Sequence, residues 1–290
     1  MAAHTLRRQN PRQEPSALDA HAGICAGGGQ QRPSLPRLSF VDPDAYERFM
    51  GRFSTPLAPV FADFAGLGTG QRTIDVGCGP GALTTVLVDR LGVRSVAAVD
   101  PSPQFLAAVK ARHPKLLARL AAAEALPFED AQFDAAVAQL VVHFMADPVA
   151  GLREMARVSR PGGIVAACVW DHGQNGRGPL ATFWQAAQEL ELVVEGETSR
   201  TGATKGELAE LFARAGIRAT EVAMVSVDVR FGGFEEWWNP FLLGVGSVGT
   251  FLARLSSDAR AELRARCSAK FPTGAFTVPA AAWAVRGTPD

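Results

Sequence analysis

Two hydrophobic rhythms run along this chain. In DPDAYERFMGRFSTPLAPVFADFAGL, the residues Tyr46, Phe49, Met50, Phe53, Leu57, Val60, Phe61 and Phe64 recur at three- and four-residue intervals, the spacing that lines one face of a helix. One amphipathic helix or two are predicted there, broken near Pro56 or Pro59, because proline donates no backbone hydrogen bond and crowds the preceding turn. After it, short apolar runs alternate with helical patterns. RTIDV leads to a helix over ALTTVLVDRLG, SVAAVD to a helix over PQFLAAVKAR, and then come LARLAAAEALPF, FDAAVAQLVVHF, a helix over PVAGLREMARVSR, and GGIVAACVW. Runs of Val, Ala and Ile separated by helices predict a parallel sheet covered on both faces, a doubly wound α/β domain.

Beyond Trp170, GPLATFWQAAQEL and TKGELAELFARAG are helical by period and ATEVAMVSVDVRF reads as a strand. SDARAELRARCSAKF reads as a helix and AFTVPAAAWAVRG as the closing strand. Residues 1–37 carry Pro11, Pro15, Pro33, Pro36 and the run Gly27–Gly29 without apolar periodicity, so they are expected to be an unstructured tail. A single domain over residues 38–290 remains, with N-terminal helices at 38–70, a core at 71–171 and C-terminal strands at 172–290.

Composition narrows the partners. Basic and acidic residues number 29 each, so no net field draws the protein toward nucleic acid or an anionic membrane, and a small-molecule partner is expected. Lysine occurs only at positions 110, 115, 205 and 270, and this arginine bias suggests a GC-rich bacterial source. Cys25, Cys78, Cys168 and Cys267 form no C-x-x-C pair and no Cys/His cluster, so neither a disulfide framework nor a metal site is indicated. FLLGVGSVGTFLA is too short and glycine-rich to span a bilayer, and the N-terminus shows no apolar signal segment, so a cytoplasmic location is expected.

The chemistry is concentrated in TIDVGCGPGA, Thr73 to Ala82, where an apolar strand runs into an aspartate and then Gly77, Gly79 and Gly81. Glycine at that density tolerates positive φ and exposes backbone N–H groups to a small ligand. Gly77, Gly79 and Ala82 satisfy the dinucleotide spacing formally, with Asp100 at the interval of a ribose contact, so an NAD-linked oxidoreductase is one reading. Asp75 argues for another, because a carboxylate beside a pyrophosphate is repelled, whereas a ligand bearing an ammonium and a sulfonium is attracted.

With that aspartate, DVGCGPG resembles motif I of the class I S-adenosylmethionine-dependent methyltransferases. The likeness continues through VDPS, AEALPFEDAQFDAAVAQLVVHF and MARVSRPGGIVAACVWD, from about Ile74 to Asp171. It is nearest to the ubiquinone/menaquinone-biosynthesis subgroup, and YERFMGRFSTPLA is similar to the helix such enzymes place before motif I. The resemblance implies a Rossmann-like, mostly parallel sheet with an antiparallel last strand, S-adenosylmethionine as cofactor and a small-molecule methyl acceptor. It further implies that Gly77 and Gly79 approach the methionine part, Asp75 orients its ammonium, and Asp100 accepts from the ribose hydroxyls. Pro101, Ser102 and Leu126 would flank the adenine, and Gln139 would face the methionine end. Where the family has an aspartate for the adenine amino group, this chain has Ala122, which passes that contact to the backbone around Ala123. A pocket-bearing protein without transferase activity is the other reading that Ala122 leaves open.

Tyr46 either packs its helix on the sheet or, with Arg52, reaches the cofactor carboxylate. Asp100 could also cap the following helix. His143, in LVVHFMADP just past the fourth strand, is the candidate general base, against the alternative of a packed, hydrogen-bonded histidine. Asp171 and His172 are weaker candidates. Trp237, Trp238 and Phe241 could form an apolar lid over the acceptor, or pack a helix onto its own sheet.

Overall fold

The computed structural model describes residues 42–173, 176–192 and 201–289. The tail expected over residues 1–37, and Cys25 within it, lie outside the described residues. Strands β1 (Thr73–Val76), β2 (Val96–Asp100), β3 (Leu117–Leu120), β4 (Phe133–Gln139) and β5 (Ser159–Trp170) pair in parallel. Strands β6 (Ile217–Phe231) and β7 (Phe276–Pro289) complete a seven-stranded sheet in the order β3-β2-β1-β4-β5-β7-β6, with β7 antiparallel to both neighbours. The fold expected from the alternating runs is therefore present, Rossmann-like and with its last strand reversed.

The helices are α1 (Pro43–Tyr46), α2 (Arg52–Ala65), α3 (Ala82–Leu91), α4 (Pro103–Arg112), α5 (Pro148–Val158) and α6 (Ala181–Glu189). They continue as α7 (Glu207–Arg214), α8 (Phe234–Trp238), α9 (Gly246–Arg254) and α10 (Ser257–Ser268). Alternate side chains of the central strands feed two cores. Ala135, Val137, Ala166 and Cys168 join Leu57, Phe61 and Leu87 on one face, while Ile74, Val76, Ala136 and Ala167 join Leu152, Met155 and Phe212 on the other. Both faces are buried, which is why these strands read as continuous apolar runs.

The break expected at Pro56 or Pro59 is absent, since α2 runs unbroken through both. Each proline in a helix interior costs roughly 3 kcal/mol, but burying Phe53, Leu57 and Phe61 returns roughly 1.5–3 kcal/mol apiece, so the packed face wins. The irregularity falls earlier, in a five-residue π-helical turn at Glu47–Gly51. There it brings Tyr46, Phe49 and Met50 to the carboxyl edge of the sheet, where they line a pocket.

Candidate active site

Strand order reverses between β1 and β4, and the crevice beyond their carboxyl ends is where ligands of such sheets bind. The loop from β1 enters it with Gly77, Gly79 and Gly81 at φ 70°, 53° and 98°. The amides of Gly77 and Cys78 both donate to the Val99 carbonyl, at 2.8 and 2.9 Å, which pins the loop to β2. A Cβ on Gly77 would lie 2.5 Å from Val141 Cγ1, whereas one on Gly79 would meet nothing within 4 Å. Gly77 is thus required by packing, and Gly79 presents bare backbone to open space.

Two carboxylates flank this loop. Asp100, at the end of β2, accepts from the Gly79 amide through Oδ2 and from the Ser102 amide through Oδ1, each at 2.8 Å. Ser102, not Asp100, caps α4, accepting from the Phe105 amide. Asp75, 1% exposed, accepts from Thr84 Oγ1 at 2.6 Å. Burial pushes its carboxyl up to about 7, opposed by the Thr84 hydrogen bond and assisted by the charge of Asp100. Burial also raises Asp100, against the pull of the Ser102 and Gly79 amides. The phenol of Tyr46 is raised by burial and then by Asp100 and Glu47. Two buried acids held back from ionising make a site that gains by receiving positive charge and hydroxyl donors.

These groups surround a cavity of about 630 Å³, within the range of small-molecule sites. Of the residues expected at a cofactor, Tyr46, Asp75, Gly77, Gly79, Asp100, Pro101, Ser102, Ala123 and Gln139 line it, as does Ala122. Gln139 is oriented from α2, donating through Nε2 to the Ser54 carbonyl at 2.9 Å. Because a carbonyl only accepts, this bond fixes which end of the amide is oxygen, and Oε1 is buried without a partner. Leu126 is buried away from the cavity, its amide held by Glu154.

Arg52, also expected at the cofactor, is not among the residues that line this cavity. Its guanidinium pairs with Glu236 at 2.5 Å, donates to the Arg230 carbonyl at 3.0 Å and stacks 4.4 Å from the Phe231 ring. It joins α2 to the end of β6 and to α8. Sequence reading missed Glu124, Phe105 and Met145 in the lining. Glu124 accepts from the amides of Ala146 and Asp147 at 2.7 and 3.2 Å, tying the segment after β3 to the one after β4. A carboxylate serving a distant loop has no local sequence signature.

A second pocket of about 40 Å³ shares Tyr46, Leu140 and Phe144 with the large cavity and is also lined by His143, His172 and Trp170. Leu140, at φ 63°, takes a conformation rare for a branched side chain, and the Val142–Phe144 turn follows it. The rings of His143 and His172 are 6.1 Å apart. Asp171 has a structural task, accepting from Arg177 N at 3.0 Å and Trp283 Nε1 at 3.2 Å.

The aromatics considered for an apolar lid are packed inside the fold. Trp237, Trp238 and Phe241 are 1–3% exposed and line neither cavity. They interlock with Phe183 and Phe271, as in the 4.7 Å Trp237–Phe241 and 4.8 Å Trp237–Phe271 contacts, and join the buried cluster that α2 shares with one face of the sheet. Among the described residues no group of three or more His, Cys, Asp or Glu could hold a metal ion, and no helix is long and apolar enough to cross a membrane.

A glycine loop at the switch point, flanked by buried acids from β1 and β2, marks a doubly wound protein with a small-molecule site at the carboxyl edge of its sheet. Residues 74–167 match the family described as Methyltransferase domain. An uncharacterized methyltransferase of Mycobacterium tuberculosis is 41% identical over 127 residues, 44% of this chain and 49% of that protein. A demethylmenaquinone methyltransferase of Mycolicibacterium paratuberculosis is 40% identical over 111 residues, 38% of this chain and 46% of that protein. The chain thus spans about half the length of the curated relatives it matches. Among solved structures, the YcgJ protein of Bacillus subtilis superposes with a TM-score of 0.52 at 15% identity, covering 81% of this chain and 99% of that one. The cyclase SpnF superposes at 0.51 with 18% identity, covering 81% and 80%. These likenesses establish the fold, and a cyclase among them underlines that a fold does not name a reaction.

Proposed function

We propose that the protein is an S-adenosylmethionine-dependent methyltransferase acting on a small-molecule acceptor. The observation that carries this reading is Asp75, a buried carboxyl at the tip of β1 facing the glycine loop, where a diphosphate would be repelled and an ammonium drawn in. Asp75 would hold that ammonium and Asp100 the ribose hydroxyls, with Pro101, Ser102 and Ala123 around the adenine and Tyr46 and Gln139 toward the methionine end. When bound, S-adenosylmethionine supplies a methyl group on a sulfonium whose charge already activates it for departure.

This chain's own residues then have modest tasks. They hold the acceptor in line with the methyl group and keep water out, which can account for much of the rate. His143, in the pocket adjoining the cavity, takes the acceptor's proton where it has one to lose. The balanced charge argues against nucleic acid as acceptor, and buried free thiols at Cys78, Cys168 and Cys267 accord with a cytoplasmic site of action. The methyltransferase names of the matched relatives support the same reading.

Calorimetry with S-adenosylhomocysteine and with NADH tests it. Binding of the first and not of the second is expected, and the reverse would establish the oxidoreductase reading instead. Methyl release from labelled donor over phenols, quinols and amines then separates an enzyme from a protein that only binds. His143→Gln is expected to lower turnover on a proton-bearing acceptor roughly 100-fold or more while leaving S-adenosylhomocysteine affinity within twofold.

A further inference from the structure

One guanidinium fastens together two walls of the large cavity. Helix α4 leaves β2 beside Asp100, is capped by Ser102 and ends at Arg112, so that its last turn comes up against the glycine loop. The packing there is close, for a Cβ on Gly81 would lie 2.9 Å from Val109 Cγ2 and 3.6 Å from Arg112 Nη1. Arg112 donates through Nη1 to the Pro80 carbonyl at 2.9 Å and through Nη2 to Glu47 Oε1 at 3.1 Å. Pro80 sits between Gly79 and Gly81, while Glu47 follows Tyr46 and opens the π-helical turn. Both Pro80 and Tyr46 line the cavity, and the Tyr46 ring also meets Phe105 of α4 edge-on at 5.4 Å. The planar fork of an arginine holds a carbonyl and a carboxylate at once, which a lysine ammonium is not shaped to do. With side chains 42% and 43% exposed, Arg112 and Glu47 contribute little to folding as an ion pair. Their placement matters more. A loop with three glycines at positive φ has much backbone freedom to lose. The amides of Gly77, Cys78 and Gly79 are tied to β2, and Arg112 holds the next residue by its carbonyl.

We infer that Arg112 is a positioning residue that couples the glycine loop to the Tyr46 segment, so that a ligand ordering one wall of the cavity orders the other. The inference rests on the S-adenosylmethionine reading above, in which the ligand touches the loop and Tyr46 together. Holding both walls in the free protein reduces what the ligand must order as it binds, and the difference appears as affinity. Because the Arg112–Glu47 pair is open to solvent, salt screens it, and the coupling weakens as ionic strength rises.

The test is hydrogen exchange of the full chain, read by mass spectrometry with and without S-adenosylhomocysteine, in the native protein, Glu47→Ala and Arg112→Ala. In the native protein the ligand is expected to slow exchange over residues 46–51 and 77–81 together, by roughly tenfold in each. Glu47→Ala should keep the protection of 77–81 and lose most of that over 46–51, whereas Arg112→Ala should lose both. Calorimetry should show S-adenosylhomocysteine affinity lowered roughly threefold in Glu47→Ala and roughly tenfold in Arg112→Ala, with the double variant no weaker than Arg112→Ala alone. Raising sodium chloride from about 50 mM to about 500 mM should narrow the gap between the native protein and Glu47→Ala, which a purely structural role would leave unchanged. Native protection confined to 77–81, a Glu47→Ala variant that protects 46–51 as the native protein does, or affinity losses matched by equal losses of folding stability would each overturn the inference. Should Arg112→Ala not fold, Glu47→Ala decides alone. If S-adenosylhomocysteine does not bind the native protein, the methyl-transfer reading falls and this inference with it. If it binds and both variants match the native protein, only the coupling through Arg112 is refuted.

Discussion

Replacing Asp75 with asparagine is expected to stabilise the protein and to weaken its hold on the cofactor. The carboxyl is 1% exposed and titrates at about 7 instead of its ordinary 3.8, chiefly because burial penalises the charge. The unfolded chain releases this proton near pH 4 and the folded protein near pH 7, so between those values the folded state binds the extra proton. Stability contributed by the protonated form is therefore full below pH 3.8 and is lost as pH rises through about 7. At roughly 1.4 kcal/mol per pH unit, the loss is about 1.5 kcal/mol at pH 5 and about 4 kcal/mol at pH 8. Asparagine keeps an oxygen for the Thr84 hydroxyl and carries no charge to desolvate, so Asp75→Asn escapes the loss. Urea unfolding of both proteins at pH 5 and pH 8 reads the difference, which near pH 8 corresponds to roughly 10 °C in Tm. Calorimetry with S-adenosylhomocysteine should show the opposite sign, with affinity reduced. A variant no more stable than the native protein at pH 8, or a gain that does not change with pH, would refute the electrostatic account of this site.

Because a cationic ligand prefers ionised Asp75, S-adenosylhomocysteine affinity is expected to rise about tenfold from pH 6 to pH 8 and to become nearly flat in Asp75→Asn, measured by calorimetry across that range. Gly77→Ala drives a Cβ into Val141 and strains φ, so a loss of roughly 2–3 kcal/mol is expected in denaturant unfolding. Gly79→Ala has room and should cost only about 1 kcal/mol, yet it should weaken cofactor binding at least tenfold, since its methyl projects where the ligand approaches. Arg52→Ala should cost about 1 kcal/mol through the lost Glu236 and Phe231 contacts and leave cofactor affinity within twofold; a large loss of affinity would return Arg52 to the binding site.

Reading the chain without its structure reached the glycine loop, Asp75 and Asp100 because their chemistry is local. Positive φ needs glycine, and a carboxylate at a strand end can be placed by counting residues along a strand. The same reading stopped at Arg52, Glu124 and the aromatic insertion. Each of these side chains is defined by a partner far away in sequence, Glu236 for Arg52 and Ala146 for Glu124. Periodicity shows that Trp237 and Phe241 share a face but not what that face meets.

By itself, then, the amino-acid order determined the alternation of strands and helices, the doubly wound topology and the loop that a nucleoside-bearing ligand would approach. These follow from backbone conformation and from the burial of neighbouring side chains, both of which act over a few residues. The tertiary structure alone decided that α2 absorbs two prolines, that Arg52 pairs with Glu236, and that the rings of His143 and His172 come within 6.1 Å of each other. Such outcomes depend on which surfaces meet when the chain closes, and the free energy of that closure is not written in any one segment.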